Sequence, residues 1–294
     1  MMECVDIVMA TYNGENYIRE QIESIQKQNY EHWHLYISDD ASTDGTVSII
    51  KQMASDDSRI RLVSTDKQGG IIANFNKALS FSDANYIFLS DQDDIWMEDR
   101  LIKMLTHFKT IELQSPEKSI LLFTDLELIR SDNTIISDSF YKYNNLNPKN
   151  NMKDNMLIWR STVYGCSTLF NKNLLHKSFP IPDYASMHDQ WLALNAQLNG
   201  GLFYYNYTSL KYRQHSNNAV GGAGNNLIGK IKKSKKNLES IRENTNRIKT
   251  NLKLNKNLFY KGSDISFAYK VILPNVFFGE KKIQSLFYFI LFSI

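Results

Sequence analysis

Cysteine is nearly missing from this chain: 294 residues contain two, Cys4 and Cys166. They are far apart and fall in no metal-ligand spacing, so they read as reduced core thiols of a cytosolic protein, not as staples. An export signal is missing too. The N-terminus MMECVDIVMATYNG runs straight into a strand-like stretch, without a basic region, an apolar core and a small-residue cleavage site. The apolar run at the other end, Ile283–Ile294, has twelve residues, against roughly 20 for a helix that spans hydrocarbon. Neither G-x-G-x-x-G nor G-x-x-x-x-G-K-[ST] occurs at the one glycine-rich turn that opens a helix, Gln68-Gly69-Gly70. The segment after the first strand, Thr11-Tyr12-Asn13-Gly14-Glu15, has no Lys or Arg. That argues against a nucleotidyltransferase, which often carries a basic glycine-rich loop there.

Charge is present but unevenly placed. Residues 228–261 hold eleven Lys/Arg (among them Lys230, Lys232, Lys233, Lys235, Lys236, Arg242 and Arg247) against Glu239 and Glu243, while the whole chain is only +3. The body is therefore acidic and the basic character belongs to one segment.

Through about residue 125, β-branched and aromatic runs alternate with helix-period stretches, the pattern of a largely parallel sheet covered by helices. The strand candidates are Val5–Ala10, His34–Ser38, Ile60–Ser64, Tyr86–Ser90 and Ile120–Thr124. Ile18, Ile22 and Ile25 share one helical face, as do Val47, Ile50 and Met53, the latter entered through Ser42-Thr43-Asp44. A helix is expected from near Trp96. The Asn-rich stretch within 126–163 reads as an acceptor-side loop or lid. A buried helix is expected over Asp189–Leu198, and Gly221-Gly222-Ala223-Gly224 breaks the chain before the basic segment.

The sharpest chemical signal is Tyr86-Ile87-Phe88-Leu89-Ser90-Asp91-Gln92-Asp93-Asp94, a hydrophobic strand ending in three carboxylates. Ligands of open α/β sheets sit outside the C-terminal ends of the strands. Carboxylates this close call for a divalent cation such as Mg²⁺ or Mn²⁺, which takes oxygen ligands and shares its shell with water and phosphate. The competing reading is a polar loop with capping Asp residues. A second acidic strand end, Asp39-Asp40, suits ribose or base contacts, or an Asx turn.

In order and separation, Val8-Met9-Ala10-Thr11-Tyr12-Asn13-Gly14, Ser38-Asp39-Asp40-Ala41-Ser42-Thr43-Asp44 and Ser90-Asp91-Gln92-Asp93-Asp94 resemble the family 2 glycosyltransferases, over roughly residues 3–220. The resemblance implies a GT-A fold, a mostly parallel central sheet flanked by helices, in a catalytic domain over 1–222. Residues 1–125 would form its nucleotide-sugar half and 126–222 its acceptor half. It places Thr11, Tyr12, Asn13 and Asp39 on the nucleotide, with Gly69, Gly70, Asn74, Asp91, Gln92 and Arg213 completing the donor site. Asp91, Asp93 and His215 would hold the cation.

His188-Asp189-Gln190-Trp191 and Tyr212-Arg213-Gln214-His215-Ser216-Asn217-Asn218 resemble the H-D-x-W and Y-R-Q-H segments of rhamnosyltransferase-like members. This makes Asp189 the catalytic base and puts Tyr164, Gly165, Cys166, His188 and Trp191 on the acceptor side. The implied activity is inverting transfer of a sugar, rhamnose from dTDP-rhamnose by this likeness, to a saccharide or lipid-linked acceptor in bacterial surface polysaccharide synthesis. His32, His34, His107 and His176 have no such context.

Residues 223–294 read as a basic helical and apolar segment lying on the inner face of the bacterial cell membrane, with a helix packed on the core through Leu238, Ile241, Ile248 and Leu252 as the alternative. The neighbouring apolar end favours lipid over nucleic acid for the basic patch. A non-enzymatic membrane-binding module would explain that segment and leave the carboxylates without a role.

Overall fold

A computed structural model describes residues 3–153, 155–215, 227–255 and 258–293. The glycine break at 221–224 and Ser216-Asn217-Asn218 lie outside them, as do the side chains of Leu238 and of the lysines from 230 to 236.

The first 112 residues alternate strand and helix, as the pattern requires: β1 (Val5–Thr11), α1 (Ile18–Gln26), β2 (Trp33–Asp39), α2 (Thr46–Asp56), β3 (Ile60–Ser64), α3 (Ile71–Leu79), β4 (Tyr86–Ser90), a two-residue β5 (Ile95–Trp96) and α4 (Arg100–Glu112). β1 and β4 are buried nearly throughout, because helices cover both faces of the sheet. In α1 the buried positions are Ile18, Gln21, Ile22, Ser24 and Ile25, one stripe against that sheet. The helix expected near Trp96 begins at Arg100 instead. Ile95 and Trp96 are taken by the sheet, pairing with Lys211 and Leu210.

The sheet has nine strands, ordered β3-β2-β1-β4-β8-β6-β9-β5, with β7 (Ile135–Ser137) on β6. β3, β2, β1 and β4 run parallel. Beyond β4 the sheet is mixed: β8 (Thr168–Asn171) is antiparallel to both β4 and β6 (Leu121–Arg130), and β9 (Leu202–Gln214) runs parallel to β6. This order sets Thr11, Asp39 and Ser90 together at one sheet edge, with Thr11 and Asp39 direct register partners.

The Asn-rich stretch is not the loop expected. β6 runs through it to Arg130, and α5 (Phe140–Tyr143), a 3-10 turn (Pro148–Met152) and α6 (Met156–Trp159) follow. Its asparagines act as local caps and ties. Asn147 Oδ1 accepts the Lys149 N–H at 3.0 Å, and Asn151 Oδ1 accepts the Thr162 N–H at 2.9 Å. Phe140, Tyr141, Leu157, Ile158 and Trp159 are buried against the body.

After α7 (Lys172–Ser178), α8 (His188–Gln197) is buried nearly all round, except that Leu198 just past its end is exposed.

The C-terminal segment forms α9 (Leu227–Leu254), α10 (Asp264–Phe267), α11 (Leu273–Phe278) and α12 (Lys282–Ser293). It packs on the catalytic body. Ile248, Phe267, Ile272, Tyr288 and Phe292 belong to the same buried cluster as the sheet, Tyr288 meets Trp159 with ring centres 5.5 Å apart, and Arg160 pairs with Glu280. No helix among the described residues is long and apolar enough to cross a membrane.

Candidate active site

The site is built where β1, β2 and β4 end. Thr11 Oγ1 donates to Asp39 Oδ2 at 2.8 Å, and Asp39 also accepts the Ser42 N–H at 2.7 Å and the Ser42 hydroxyl at 2.6 Å. Asn74 Nδ2 donates to the Thr11 carbonyl at 3.0 Å. Asn13, in the left-handed region at φ 47°, accepts the Thr43 N–H at 2.9 Å. Gln92 brackets Tyr12, accepting its N–H at 2.9 Å and donating to its carbonyl at 3.0 Å.

These residues therefore form a frame, and Asp39, expected on the base and ribose, is fully buried within it. What the frame presents outward is Tyr12, 57% exposed.

Asp40, read with Asp39 as a ribose or base contact or an Asx turn, is engaged with the glycine turn. Its carboxylate accepts the N–H groups of Gln68, Gly69 and Gly70 at 2.5, 2.9 and 2.8 Å. Burial opposes ionisation there, yet these three bonds hold its carboxyl below the ordinary range. They fix Gly69 and Gly70 at φ 88° and 129°, where a side chain would meet no atom within 4 Å. The glycines thus give an open stretch of backbone held against Asp40.

The three acids after β4 point different ways. Asp94 is buried, with Oδ1 accepting the Arg213 N–H at 3.2 Å. Asp93 Oδ2 lies 2.7 Å from His215 Nε2, and the His215 ring stacks on Tyr17 at 4.9 Å. Asp91 is pushed up to about 7, first by removal from solvent and then by the charges of Asp93 and Asp189. A cation beside Asp91 would relieve that repulsion, and carboxylate oxygens suit Mg²⁺ or Mn²⁺; the ligand atoms of Asp91, Asp94 and Cys166 lie within 4.8 Å of one another, while Asp93 is turned to His215.

Arg213, expected on the diphosphate, is turned inward and only 1% exposed. It donates to the Asp93 carbonyl at 2.8 Å, the Ser131 carbonyl at 3.2 Å and Glu20 at 2.6 Å, and bonds Asn133 as well. It is a strut that ties β9 to the acidic loop.

Asp189 lies in the first turn of α8. Its Oδ2 accepts the Gly165 N–H at 2.9 Å and its Oδ1 the Gln190 N–H at 2.6 Å. It faces a cavity of about 770 Å³ whose wall includes Phe140, Tyr143, Tyr164, Tyr212 and, from the C-terminal helices, Arg247 and Tyr288.

Tyr164 reaches this cavity, whereas three other acceptor-side candidates stand behind it. His188 is buried and stacked on Phe75 at 3.9 Å, and burial lowers its pKa against the pull of Asp189. The Trp191 indole N–H donates to the Ser178 carbonyl at 2.9 Å, away from the cavity. Cys166 is buried beside Asp91 and Asp94, and its thiol is pushed well up by burial and then by their charges. Cys4, expected in the core, is exposed.

An acidic loop at the end of β4, an open glycine turn and a carboxylate in the wall of a facing cavity define a sugar-transferring enzyme of the GT-A type. The chain belongs to glycosyl transferase family 2, which it matches over residues 6–120. It is 30% identical over 226 residues to the dTDP-rhamnosyl transferase RfbG of Shigella flexneri, covering 72% of this chain and 73% of that one. It is 29% identical over 192 residues to the putative teichuronic acid biosynthesis glycosyltransferase TuaG of Bacillus subtilis (strain 168), covering 65% and 71%. Among solved structures, the mannosyltransferase PcManGT of Pyrobaculum calidifontis in complex with GDP-Man and Mn²⁺ shares the fold at TM-score 0.58 and 16% identity, over 100% of this chain and 86% of that one. The protein is thus a glycosyltransferase with homologues in bacterial polysaccharide synthesis.

Proposed function

We propose that this enzyme is a cation-dependent, inverting glycosyltransferase that moves a sugar from a nucleoside-diphosphate donor to a saccharide acceptor. The observation that carries the reading is the placement of Asp189 in the wall of the cavity, close enough to Asp91 for its charge to raise that carboxyl.

The donor would lie over Gly69 and Gly70, with Tyr12 against the nucleotide. Asp91, Asp93 and His215 would hold a divalent cation, which would supply positive charge against the departing diphosphate. Asp189 accepts the proton of an acceptor hydroxyl as that oxygen attacks the anomeric carbon, and the bond to the diphosphate oxygen breaks on the opposite face. One base and one displacement invert the anomeric centre. The two backbone N–H bonds to Asp189 hold its carboxylate toward the cavity, which is how a base is kept in attack geometry.

Rhamnose from dTDP-rhamnose is the donor favoured by the likeness to RfbG. The acceptor cavity supports a saccharide because aromatic faces line it. Its rim also holds Arg247 and Lys281, which donate to the carbonyls of Ala185 and Asn144 and have no carboxylate partner among the described residues. That suits the phosphate of a lipid-linked acceptor.

The catalytic domain, 1–222, is served in this reading by residues 223–294 in two ways. The inner faces of α9 and α12 close the cavity, and an outer strip of Phe277, Phe278, Ile283, Leu286, Phe287 and Ile290 remains exposed. Lying next to the basic α9, the strip fits peripheral attachment to the inner, anionic face of the bacterial membrane.

The test is a panel of nucleotide-sugars with Mn²⁺ and with chelator, followed by the anomeric configuration of the product. Release of nucleoside diphosphate from one donor, abolished by chelator, with an inverted product, supports the reading. A retained configuration, or equal turnover in chelator, contradicts it.

A further inference from the structure

We propose that Cys4, Asp6 and His34 form a second cation site, selective for zinc, at the edge of the sheet opposite the active site. Asp6 and His34 are direct register partners on the parallel strands β1 and β2. Cys4 lies two residues before Asp6, and residues two apart along an extended chain project to the same face. Strand register thus brings together three residues that the linear spacing leaves unrelated.

The Cys4–His34 contact lies within sulfur hydrogen-bond range, and the set of distances also suits a shared metal. Cys4 Sγ is 3.4 Å from His34 Nδ1, His34 Nδ1 is 3.7 Å from Asp6 Oδ1, and all three ligand atoms lie within 4.8 Å of one another. Tetrahedral zinc, with bonds of about 2.3 Å to sulfur and about 2.0–2.2 Å to nitrogen and oxygen, needs ligand atoms about 3.3–3.6 Å apart. The imidazole–carboxylate separation is too long for a hydrogen bond.

The carboxylate is also oriented for the role. Asp6 Oδ2 accepts the Ser82 hydroxyl at 2.8 Å and the N–H groups of Asp83 and Ala84 at 2.9 Å, which leaves Oδ1 toward His34. Such outer hydrogen bonds commonly fix metal-binding carboxylates.

Zn²⁺ with a thiolate, a carboxylate and a neutral imidazole makes a complex of zero net charge. The site opens on a cavity of about 370 Å³ bordered by Tyr36 and Asp83, with Cys4 exposed at its entrance, so water can supply the fourth ligand. Donor softness separates the two sites: sulfur and imidazole select zinc here, whereas the carboxylates after β4 suit magnesium or manganese. Thr11 lies five residues beyond Asp6 along β1, about 16 Å at strand rise, so this cation would clamp the starts of β1 and β2 and take no part in sugar transfer. The inference is independent of the proposed reaction.

The test uses full-length protein without a histidine tag, in excess Mg²⁺, titrated with Co²⁺ as the spectroscopic substitute for Zn²⁺. One equivalent should give a thiolate-to-metal charge-transfer absorption that Zn²⁺ abolishes. The absorption should vanish in Cys4→Ser and persist in Cys166→Ala, and Zn²⁺ should raise the Tm of the parent but not of His34→Gln. Because Cys4 is exposed, Cys4→Ser keeps the fold and the comparison stands if His34→Gln does not. No absorption in the parent, or one that survives in Cys4→Ser, overturns the proposal.

Discussion

Gly165 and Asp189 hold each other in place: the Gly165 N–H donates to Asp189 Oδ2 at 2.9 Å, and a Cβ on Gly165 would come within 2.6 Å of Nε2 of His188, the residue before Asp189. Only a residue without a side chain lets the 3-10 turn Gly165–Ser167 approach α8 this closely. The turn and Asp189 form one unit, which yields the first two predictions.

Asp189→Asn is nearly isosteric and can keep one of the two backbone bonds, but it cannot accept the acceptor's proton. Turnover should fall by about 10²–10⁴-fold while donor affinity stays within a factor of two or three. Steady-state rates at saturating acceptor, with donor binding measured by calorimetry, check this. A rate equal to the parent's would move the base elsewhere.

Gly165→Ala should harm both stability and rate, since the imidazole it meets is itself stacked on Phe75 and buried. Overpacking of this kind costs about 1–3 kcal/mol. Chemical denaturation should show that loss, with turnover reduced beyond the loss of folded protein. Unchanged stability would mean that α8 yields freely.

The raised Asp91 gives a pH dependence. Its folded-state carboxyl, at about 7 against an ordinary 3.8, binds protons that the unfolded chain has released, so the cation-free protein loses stability as pH rises from about 4 through 7. A cation needs the deprotonated form, and its affinity should be about thirtyfold weaker at pH 5.5 than at pH 8. The Tm gain from Mn²⁺ over chelator should be clearly larger at pH 8. An equal gain at both would show that Asp91 is not a ligand.

The C-terminal helices separate into two kinds of residue. Phe292 is buried beside Phe267, their ring centres 5.4 Å apart, and Phe292→Ser should lower stability by about 3–5 kcal/mol. Phe278 and Ile283 are 90% and 76% exposed. Replacing both by Ser should leave the Tm nearly unchanged and release protein from membranes at high salt, which screens the basic contribution of α9 over distances beyond a few ångströms. Thermal melts and vesicle sedimentation read the two effects apart. If the double variant sediments with anionic vesicles as the parent does, attachment lies on another surface.

Local pattern made the parallel half of the sheet legible. Ile60–Ser64 and Tyr86–Ser90 begin and end where the pattern places them; Tyr86–Ser90, buried throughout, is the continuous apolar run such a strand must be, while Ile60–Ser64 is a half-exposed edge strand. The Asn-rich stretch misled because asparagine is read as loop, whereas here Asn147 caps a short helical turn and Asn151 ties that turn to Thr162 by side-chain bonds. Arg213 misled for a related reason. Its motif shows a cation near a diphosphate site, but only the path of β9 shows that Glu20, Ser131 and the acidic loop surround the guanidinium. The outward placing of Tyr12 and the inward placing of Asp39 likewise depend on register, which composition does not carry. Arg247 was visible as part of the basic segment and Lys281 lies beyond it, yet nothing local to either signals that they reach the cavity of Asp189.

The most direct test of the account is product formation from the preferred nucleotide-sugar by the parent, Asp93→Ala and Asp189→Asn, each with Mn²⁺ and with chelator. The account expects the parent to turn over only with the cation, Asp93→Ala to lose the cation's effect together with activity, and Asp189→Asn to bind donor and cation normally while transferring at least a hundredfold more slowly. Cation-independent transfer by the parent, or full activity of Asp93→Ala in chelator, would contradict it.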